Sequence, residues 1–331
     1  MEKFDQLKNS IEQATNILLP LHIGPDGDCI GSALAMNEYL KSINKKALII
    51  SNRDLPDYVK DVVDTSAIRT STKIESLDLS DFDLLLGQDI AEKRMVSENR
   101  EFDFPENLET INIDHHGANT NWAKFNIVIN ECSSTSNLLF RFFKHIGFEL
   151  SPTTATYLAL GILTDTGFMK NIDTKAEDYY TLGFLIDRGF DNLAFTRQMG
   201  TETFTEKRFK GLVYTNLQLD TKLKCAYSYV SNDDKTKYGI NKSVGLPKAS
   251  SFLKNIEGLD FAFFIKEKSN HYYTISFRAS HKDFDVARIA EKLGGGGHKQ
   301  AAGAVIKGPL DVLEVVERVL NTARDFLPDA V

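Results

Sequence analysis

The chain has 331 residues, 42% of them hydrophobic and 26% charged, with a net charge of −7. This length suggests about two domains that need no disulfide or metal staple to fold. The acidic balance speaks against general duplex binding, which needs a basic face, but leaves room for a small anion held through divalent cations. Three scattered cysteines, Cys29, Cys132 and Cys225, show no metal-ligand spacing and predict free thiols in a reducing compartment. The charged start Met1-Glu2-Lys3-Phe4-Asp5-Gln6 does not resemble a signal peptide, and no apolar run approaches the ~20 residues of a membrane span, so a cytoplasmic protein is expected.

Residues near 3–15 predict an amphipathic helix. Asn16 to Ile23 is an apolar run that suits a strand buried on both faces, as in a parallel sheet. Pro20 cannot donate a ladder bond and predicts an edge position or a bulge. His22-Ile23-Gly24-Pro25-Asp26-Gly27-Asp28 reads as a strand end, a turn and the start of a helix whose Ile30, Ala33, Leu34 and Leu40 share a face. An aspartate before a helix is ordinarily an N-cap. Two aspartates two apart, with a histidine four before the first, are more than capping needs. Lys46 to Ser51 predicts a second strand, and the polar stretch 52–80 says little. Phe82 to Gln88 predicts a third strand, ending in Asp89; 91–107 reads as a charged loop. Thr110 to Ile113 predicts a fourth strand, ending in Asp114-His115-His116, and Phe125 to Asn130 a fifth. Ser133-Ser134-Thr135 caps a helix through Leu138, Leu139, Phe142 and Phe143. Thr153 to Leu163 predicts a buried helix running into Thr164-Asp165-Thr166-Gly167, where a buried carboxylate needs a partner or a cation. Another helix is expected over 174–188.

Strands alternating with helices over 1–189 predict an α/β fold with a doubly wound, mostly parallel sheet. Residues 190–214 read as a helical connector. Residues 215–331 predict a smaller α+β domain of mixed sheet. Its strands lie at Leu223–Val230, Asp260–Lys266 and Tyr272–Ala279, with a hairpin turn at Lys268-Ser269-Asn270-His271. Gly294-Gly295-Gly296-Gly297-His298 predicts a backbone that approaches a ligand, with N–H groups open to phosphate oxygens, and Ala301-Ala302-Gly303 reads as a helix start.

In a doubly wound sheet the elements that carry His22, Asp26, Asp28, Asp89, Asp114, His115, His116 and Asp165 end on one edge. Carboxylates and imidazoles without thiolates favour Mn²⁺, Mg²⁺ or Fe²⁺ over structural zinc. The set exceeds the needs of one ion. Two ions roughly 3.5–4 Å apart form a phosphoryl-hydrolysis centre.

The histidine–aspartate stretch at 22–28, Asp89, Asp114-His115-His116 and Thr164-Asp165-Thr166-Gly167 resemble, in order and spacing, the four motifs of the DHH phosphoesterase superfamily. The glycine–histidine run resembles the signature of its DHH-associated C-terminal domain. The resemblance spans about 16 to 306 and is nearest the NrnA-like group. It implies two divalent ions, Mn²⁺ first, with Mg²⁺, Co²⁺ and Fe²⁺ as alternatives. His22 and Asp26 would hold one, and Asp28, His115 and Asp165 the other, with Asp89 between them. His116 would face the substrate phosphate, and Asp114 would orient a ligand histidine from behind. Arg278, His298, Gly296 and Gly297 would bind the phosphate or nucleotide end of the substrate.

The activity implied is in-line hydrolysis of short oligonucleotides to nucleoside monophosphates, and of 3′-phosphoadenosine-5′-phosphate to AMP. No duplex or membrane partner is implied, and the oligomeric state stays open, a homodimer included. One departure concerns Phe168-Met169-Lys170-Asn171: Lys170 stands in for a basic residue but lacks a bidentate fork, which bears on substrate preference. Linear or cyclic dinucleotides of the diadenylate type are the alternative substrates. A non-catalytic nucleotide sensor is the alternative of another class, though no ligand is missing. Cys29, Trp122, His145 and His271 read as packing, surface or turn residues, and His281, near Arg278, receives little weight as a substrate contact.

Overall fold

The computed structural model describes residues 2–171, 174–240, 249, 253 and 256–326, and the chain divides into units at Met1–Thr201 and Glu202–Val331. In the first unit, helix α1 (Glu2–Gln13) leads into strand β1 (Asn16–Pro20). Helix α2 (Gly27–Ser42), strand β2 (Lys46–Ile50), a short helix α3 (Asp57–Lys60) and strand β3 (Ile68–Arg69) follow. Strands β4 (Leu84–Gln88), β5 (Glu109–Asp114) and β6 (Phe125–Val128) complete a six-stranded sheet of order β3-β2-β1-β4-β5-β6. Every pairing in it is parallel. Helices α4 (Thr135–Ile146), α5 (Pro152–Asp165), α6 (Ala176–Asp187) and α7 (Asn192–Met199) belong to the same unit.

The apolar runs become strands because both faces of this sheet are covered. Ile17, Leu19, Leu84, Leu86, Ile111 and Ile113 pack into one core cluster with α2, α4 and α5. Leu18, Ile50 and Leu85 alternate to the other face and meet Ile74, Leu79, Ile90 and Leu108. The order reverses between β1 and β4, which is where a doubly wound sheet opens a crevice at the strands' carboxyl ends.

Pro20 corrects one expectation. It lies in a central strand, not at an edge or a bulge. It is the last residue of β1, beyond the register with β4, and the ladder to β2 resumes when Leu21 N–H donates to the Ile50 carbonyl at 2.9 Å. The stretch 52–80 holds β3, whose two residues are too short to leave a pattern. Helix α5 packs closely on α2 because Gly31 allows it: a Cβ there would lie 2.4 Å from the Tyr157 carbonyl oxygen.

In the second unit, helix α8 (Phe204–Thr215) precedes β7 (Gln218–Asp220), β8 (Cys225–Val230), helix α9 (Asn232–Lys237), β9 (Phe261–Ser269) and β10 (Tyr272–Ala279). Helix α10 (Ala287–Lys292), β11 (Gly296–His298), β12 (Ala301–Lys307) and helix α11 (Val312–Arg324) follow. The sheet order is β11-β12-β10-β9-β8-β7; β8 and β9 are parallel and the other pairs antiparallel, so the sheet is mixed. Of residues 190–214, α7 buries Phe195 in the first unit, and α8 buries Phe209, Leu212 and Val213 against Val230 and Phe264. Among the described residues no helix is long and apolar enough to cross a membrane.

Ala301-Ala302-Gly303 opens strand β12 and not a helix, and the glycine run does not sit at a helix N-terminus. Gly294 (φ +77°) closes α10: its N–H donates to Glu291 O, and Gly295 N–H to Ala290 O at 2.8 Å. A Cβ on Gly295 would lie 2.1 Å from Gly303 O, and one on Gly297 2.6 Å from Ala301 O. Those two glycines are therefore demanded by the β12 backbone. Gly296 alone of the four has open space beside it and no positive φ.

Candidate metal centre

Each ionisable group of the first unit is placed by the end of an element. Past β1, His22 is 7% exposed and Asp26 is the N-cap of α2, its Oδ1 accepting from the N–H groups of Asp28 and Cys29 at 3.1 Å. Asp26 is thus a cap as well as a candidate ligand, its carboxylate also lying near His22. Past β4, Asp89 adopts a left-handed conformation (φ +61°), which costs a residue with a Cβ about 1–2 kcal/mol. Its surroundings impose that conformation. The next carbonyl, Ile90 O, accepts from Asn112 Nδ2 at 2.9 Å, Asn119 Nδ2 at 3.2 Å and Trp122 Nε1 at 2.8 Å.

At the end of β5, Asp114 is fully buried. Its Oδ1 accepts from the N–H of His115 at 2.8 Å and lies 2.8 Å from His116 Nδ1, and its Oδ2 accepts from Asn119 Nδ2. Asp165 ends α5, followed by a left-handed run at Gly167, Phe168 and Met169 (φ +57°, +58° and +62°). The Asn171 side chain braces this run by donating to the Asp165 carbonyl at 2.8 Å. Asp28 lies in the first turn of α2, where it meets the start of α4: its carboxylate accepts from Thr135 N–H at 2.6 Å and Ser136 N–H at 2.9 Å. Gly161 makes room for it, because a Cβ there would lie 2.4 Å from Asp28 Oδ1.

These groups converge on Asp89. Its Oδ2 lies 3.7 Å from His22 Nε2, while its Oδ1 lies 3.6 Å from His115 Nε2 and 3.5 Å from His116 Nδ1. His22 Nε2 is also 3.9 Å from Asp26 Oδ1, and His115 Nε2 is 3.2 Å from Asp165 Oδ2. Ligand atoms of Asp28, His115 and Asp165 lie within 4.8 Å of one another. One oxygen of this carboxylate therefore faces His22 and the other faces His115 and His116, while Asp26 lies beside His22 and Asp165 beside His115.

The electrostatics call for a cation. Burial, then the charges of Asp89 and Asp165, push the Asp28 carboxyl well above its ordinary range. Burial also works against ionisation of Asp89. The neighbouring His22, His116 and His115 side chains outweigh it and hold that carboxyl low. Burial lowers His115, whereas the hydrogen bond to Asp114 raises His116 to about 9. His115 Nε2 is buried with no hydrogen-bond partner despite the two carboxylates close by. A buried imidazole nitrogen with no hydrogen-bond partner, set beside two carboxyl groups, is part of a donor set suited to a divalent ion. The residues present fit such an ion.

Asp114 departs from the role implied by the resemblance. The ring it holds is that of His116; His115 offers it only a backbone N–H. Lys170 is exposed, its own N–H donating to Thr166 O at 3.0 Å. Arg278, Gly296, Gly297 and His298 belong to the second unit. Arg278 is half-buried on β10 between Ala262 and Ala301, with Nη1 donating to Phe277 O at 2.8 Å. It shares a face with Ser276 and Thr274, which pair with Gly303 and Val305, while Tyr273, Ile275, Phe277 and Ala279 are buried on the other face. His298 is exposed on β11.

Of the residues given little weight, Trp122 packs against Phe104 and bonds Ile90 O. His145 and His281 pair with Asp5 and Asp260. His271 is a turn residue (φ +58°), and Cys29 is fully buried beneath His22, whose N–H it accepts. Sequence reasoning missed Asn119, Thr135 and Tyr58. The Tyr58 phenol is pushed up by burial and by the neighbouring Asp26 charge. Ser133-Ser134-Thr135 signalled only a cap, and Ser134 is that cap.

Comparison with known proteins finds two family matches. Residues 16–162 match the DHH family, N-terminal domain, and residues 222–329 match the DHHA1 domain. The bifunctional oligoribonuclease and PAP phosphatase NrnA of Thermus thermophilus is 28% identical over 314 residues, covering 95% of this chain and 91% of that protein. The Bacillus subtilis protein of the same name is 24% identical over 310 residues, or 91% and 92% of the two chains. An exopolyphosphatase-related protein from Bacteroides fragilis has a similar fold, with a TM-score of 0.81 at 23% identity, covering 98% of this chain and 96% of its own.

Proposed function

The chain belongs to the DHH family and is a metal-dependent phosphoesterase, and on that premise we propose that it hydrolyses short oligonucleotides to nucleoside monophosphates and 3′-phosphoadenosine-5′-phosphate to AMP. The observation that carries this reading is the Asp89 carboxylate, with one oxygen toward His22 and the other toward a His115 nitrogen that lacks a hydrogen-bond partner. In this reading His22 and Asp26 would hold one divalent ion, Asp28, His115 and Asp165 would hold a second, and Asp89 would serve both. Mn²⁺ is preferred, with Mg²⁺, Co²⁺ and Fe²⁺ as alternatives. Such ions lower the pKa of water and offset the charge of a phosphate.

The chain's own residues supply the rest. His116 Nδ1 is engaged by Asp114, which leaves Nε2 as the nitrogen to meet substrate. The Asp114 hydrogen bond favours the protonated ring, whose Nε2–H would be the donor to a phosphate or leaving oxygen. Asp114, fixed by Asn119, keeps that ring in place. In the second unit, Arg278 offers a planar fork for a terminal phosphate, over a floor of small residues. The open backbone at Gly296, with Gly297 and His298, is assigned to the same substrate end. Lys170, exposed after the left-handed run that follows Asp165, is assigned to the substrate as a point charge. The net charge of −7 favours small substrates over duplexes, and three buried, unpaired cysteines suit the cytoplasm.

The test is a Mn²⁺ activity panel on the pure protein. Dinucleotides, longer RNA, 3′-phosphoadenosine-5′-phosphate, cyclic dinucleotides and pyrophosphate would be compared. Dinucleotides and 3′-phosphoadenosine-5′-phosphate are expected to turn over fastest. Preference for cyclic dinucleotides would overturn the substrate assignment, and turnover of none would favour the nucleotide-sensor reading.

A further inference from the structure

Thr135 is fully buried at the first position of α4. Its hydroxyl is not needed to cap that helix, because Ser134 Oγ already accepts the Asn137 N–H at 3.0 Å. Instead the hydroxyl donates to Asp89 Oδ1 at 3.1 Å, while the backbone N–H of the same residue donates to Asp28 Oδ2 at 2.6 Å. One residue thus holds two carboxylates that come from different parts of the sheet edge. Asp89 Oδ1 is the oxygen that faces His115 and His116, and Asp28 groups with His115 and Asp165.

We propose that Thr135 is a positioning residue for the divalent-ion centre. Its hydroxyl orients the shared Asp89 carboxylate and, with its N–H, fixes the separation of Asp89 from Asp28. This inference rests on the two-ion reading given above. The physical reason is geometric. Asp89 must aim each oxygen at a different imidazole, and a carboxylate on one χ2 torsion swings freely unless a donor pins it. Thr135 supplies that donor from the start of a helix, whose position is set by its packing and its own cap. Groups that orient metal ligands from behind ordinarily contribute about 10–100-fold to metal affinity. A hydroxyl that merely satisfied a buried acceptor would affect stability and leave affinity unchanged.

The experiment is Mn²⁺ titration calorimetry on the full-length chain, with thermal melts in chelator as a separate readout. Thr135→Val keeps the shape and the backbone N–H and removes only the hydroxyl; Thr135→Ser keeps the hydroxyl. Val is expected to weaken Mn²⁺ binding by about 10-fold or more, and Ser to restore it to near wild type. If Val proves unstable, Thr135→Ala removes the same hydroxyl and the same comparison with Ser decides. Wild-type Mn²⁺ affinity in the Val or Ala variant, whatever its melting temperature, would overturn the proposal and leave the two-ion reading intact. Failure of Ser to restore affinity would also overturn it. Absence of Mn²⁺ binding in the wild-type protein would defeat the two-ion reading itself, and this inference with it.

Discussion

Asp89→Asn is expected to lower Mn²⁺-dependent hydrolysis by about 1000-fold or more while the fold survives. Asparagine has the same shape and can still accept the Thr135 hydroxyl bond, and β4 keeps its register with β1 and β5. What is lost is the charge, and one of two oxygens that face different imidazoles. An amide nitrogen cannot bind a cation, so at least one of the two sides of Asp89 loses a ligand. Steady-state rates with Mn²⁺ and a far-UV circular dichroism spectrum check both halves of the expectation. Full activity in a folded Asn variant would sink the two-ion assignment.

Arg278→Ala is expected to raise KM for short oligonucleotides by about 10–100-fold, with a smaller effect on kcat. That range corresponds to the loss of a charged hydrogen bond, about 1.5–3 kcal/mol. The substitution removes a side chain whose bond to Phe277 O is local, and the strand pairings to Ala262 and Ala301 are backbone bonds. The second unit should therefore fold normally. The chemistry is assigned to groups of the first unit, so the loss falls mainly on binding. An unchanged KM in a folded variant would remove Arg278 from the substrate site.

The residues that reveal the fold to a reader of the sequence are those whose burial leaves a periodic mark. Ile17 to Leu19 and Leu84 to Leu86 are apolar on consecutive positions because each face of the sheet is covered, and that is legible. Asp89, Asp114 and His115 stand directly after such runs, so their convergence follows from topology alone. Strand β3 leaves no mark because two residues carry no period. The glycines are ambiguous for a different reason. Gly295 and Gly297 are small because β12 presses on them, and a sequence does not say whether the neighbour of a glycine is a ligand or another strand. Ala301-Ala302-Gly303 fits a helix by propensity, but pairing with β10 overrides it.

The interactions that orient the centre were the least legible. Thr135 reaches Asp28 across 107 residues and Asp89 across 46, and the Ile90 carbonyl gathers donors from Asn112, Asn119 and Trp122. Such bonds depend on tertiary placement and leave no local pattern. For the same reason the sequence could name Asp114 as an orienting group without identifying the histidine ring it holds.

The most direct measurement of the central claim is anomalous scattering from crystals grown with Mn²⁺. Two peaks roughly 3.5–4 Å apart are expected, one on the His22 side of Asp89 and the other on the His115 side. A single peak, or peaks away from Asp89, would contradict the shared-carboxylate centre.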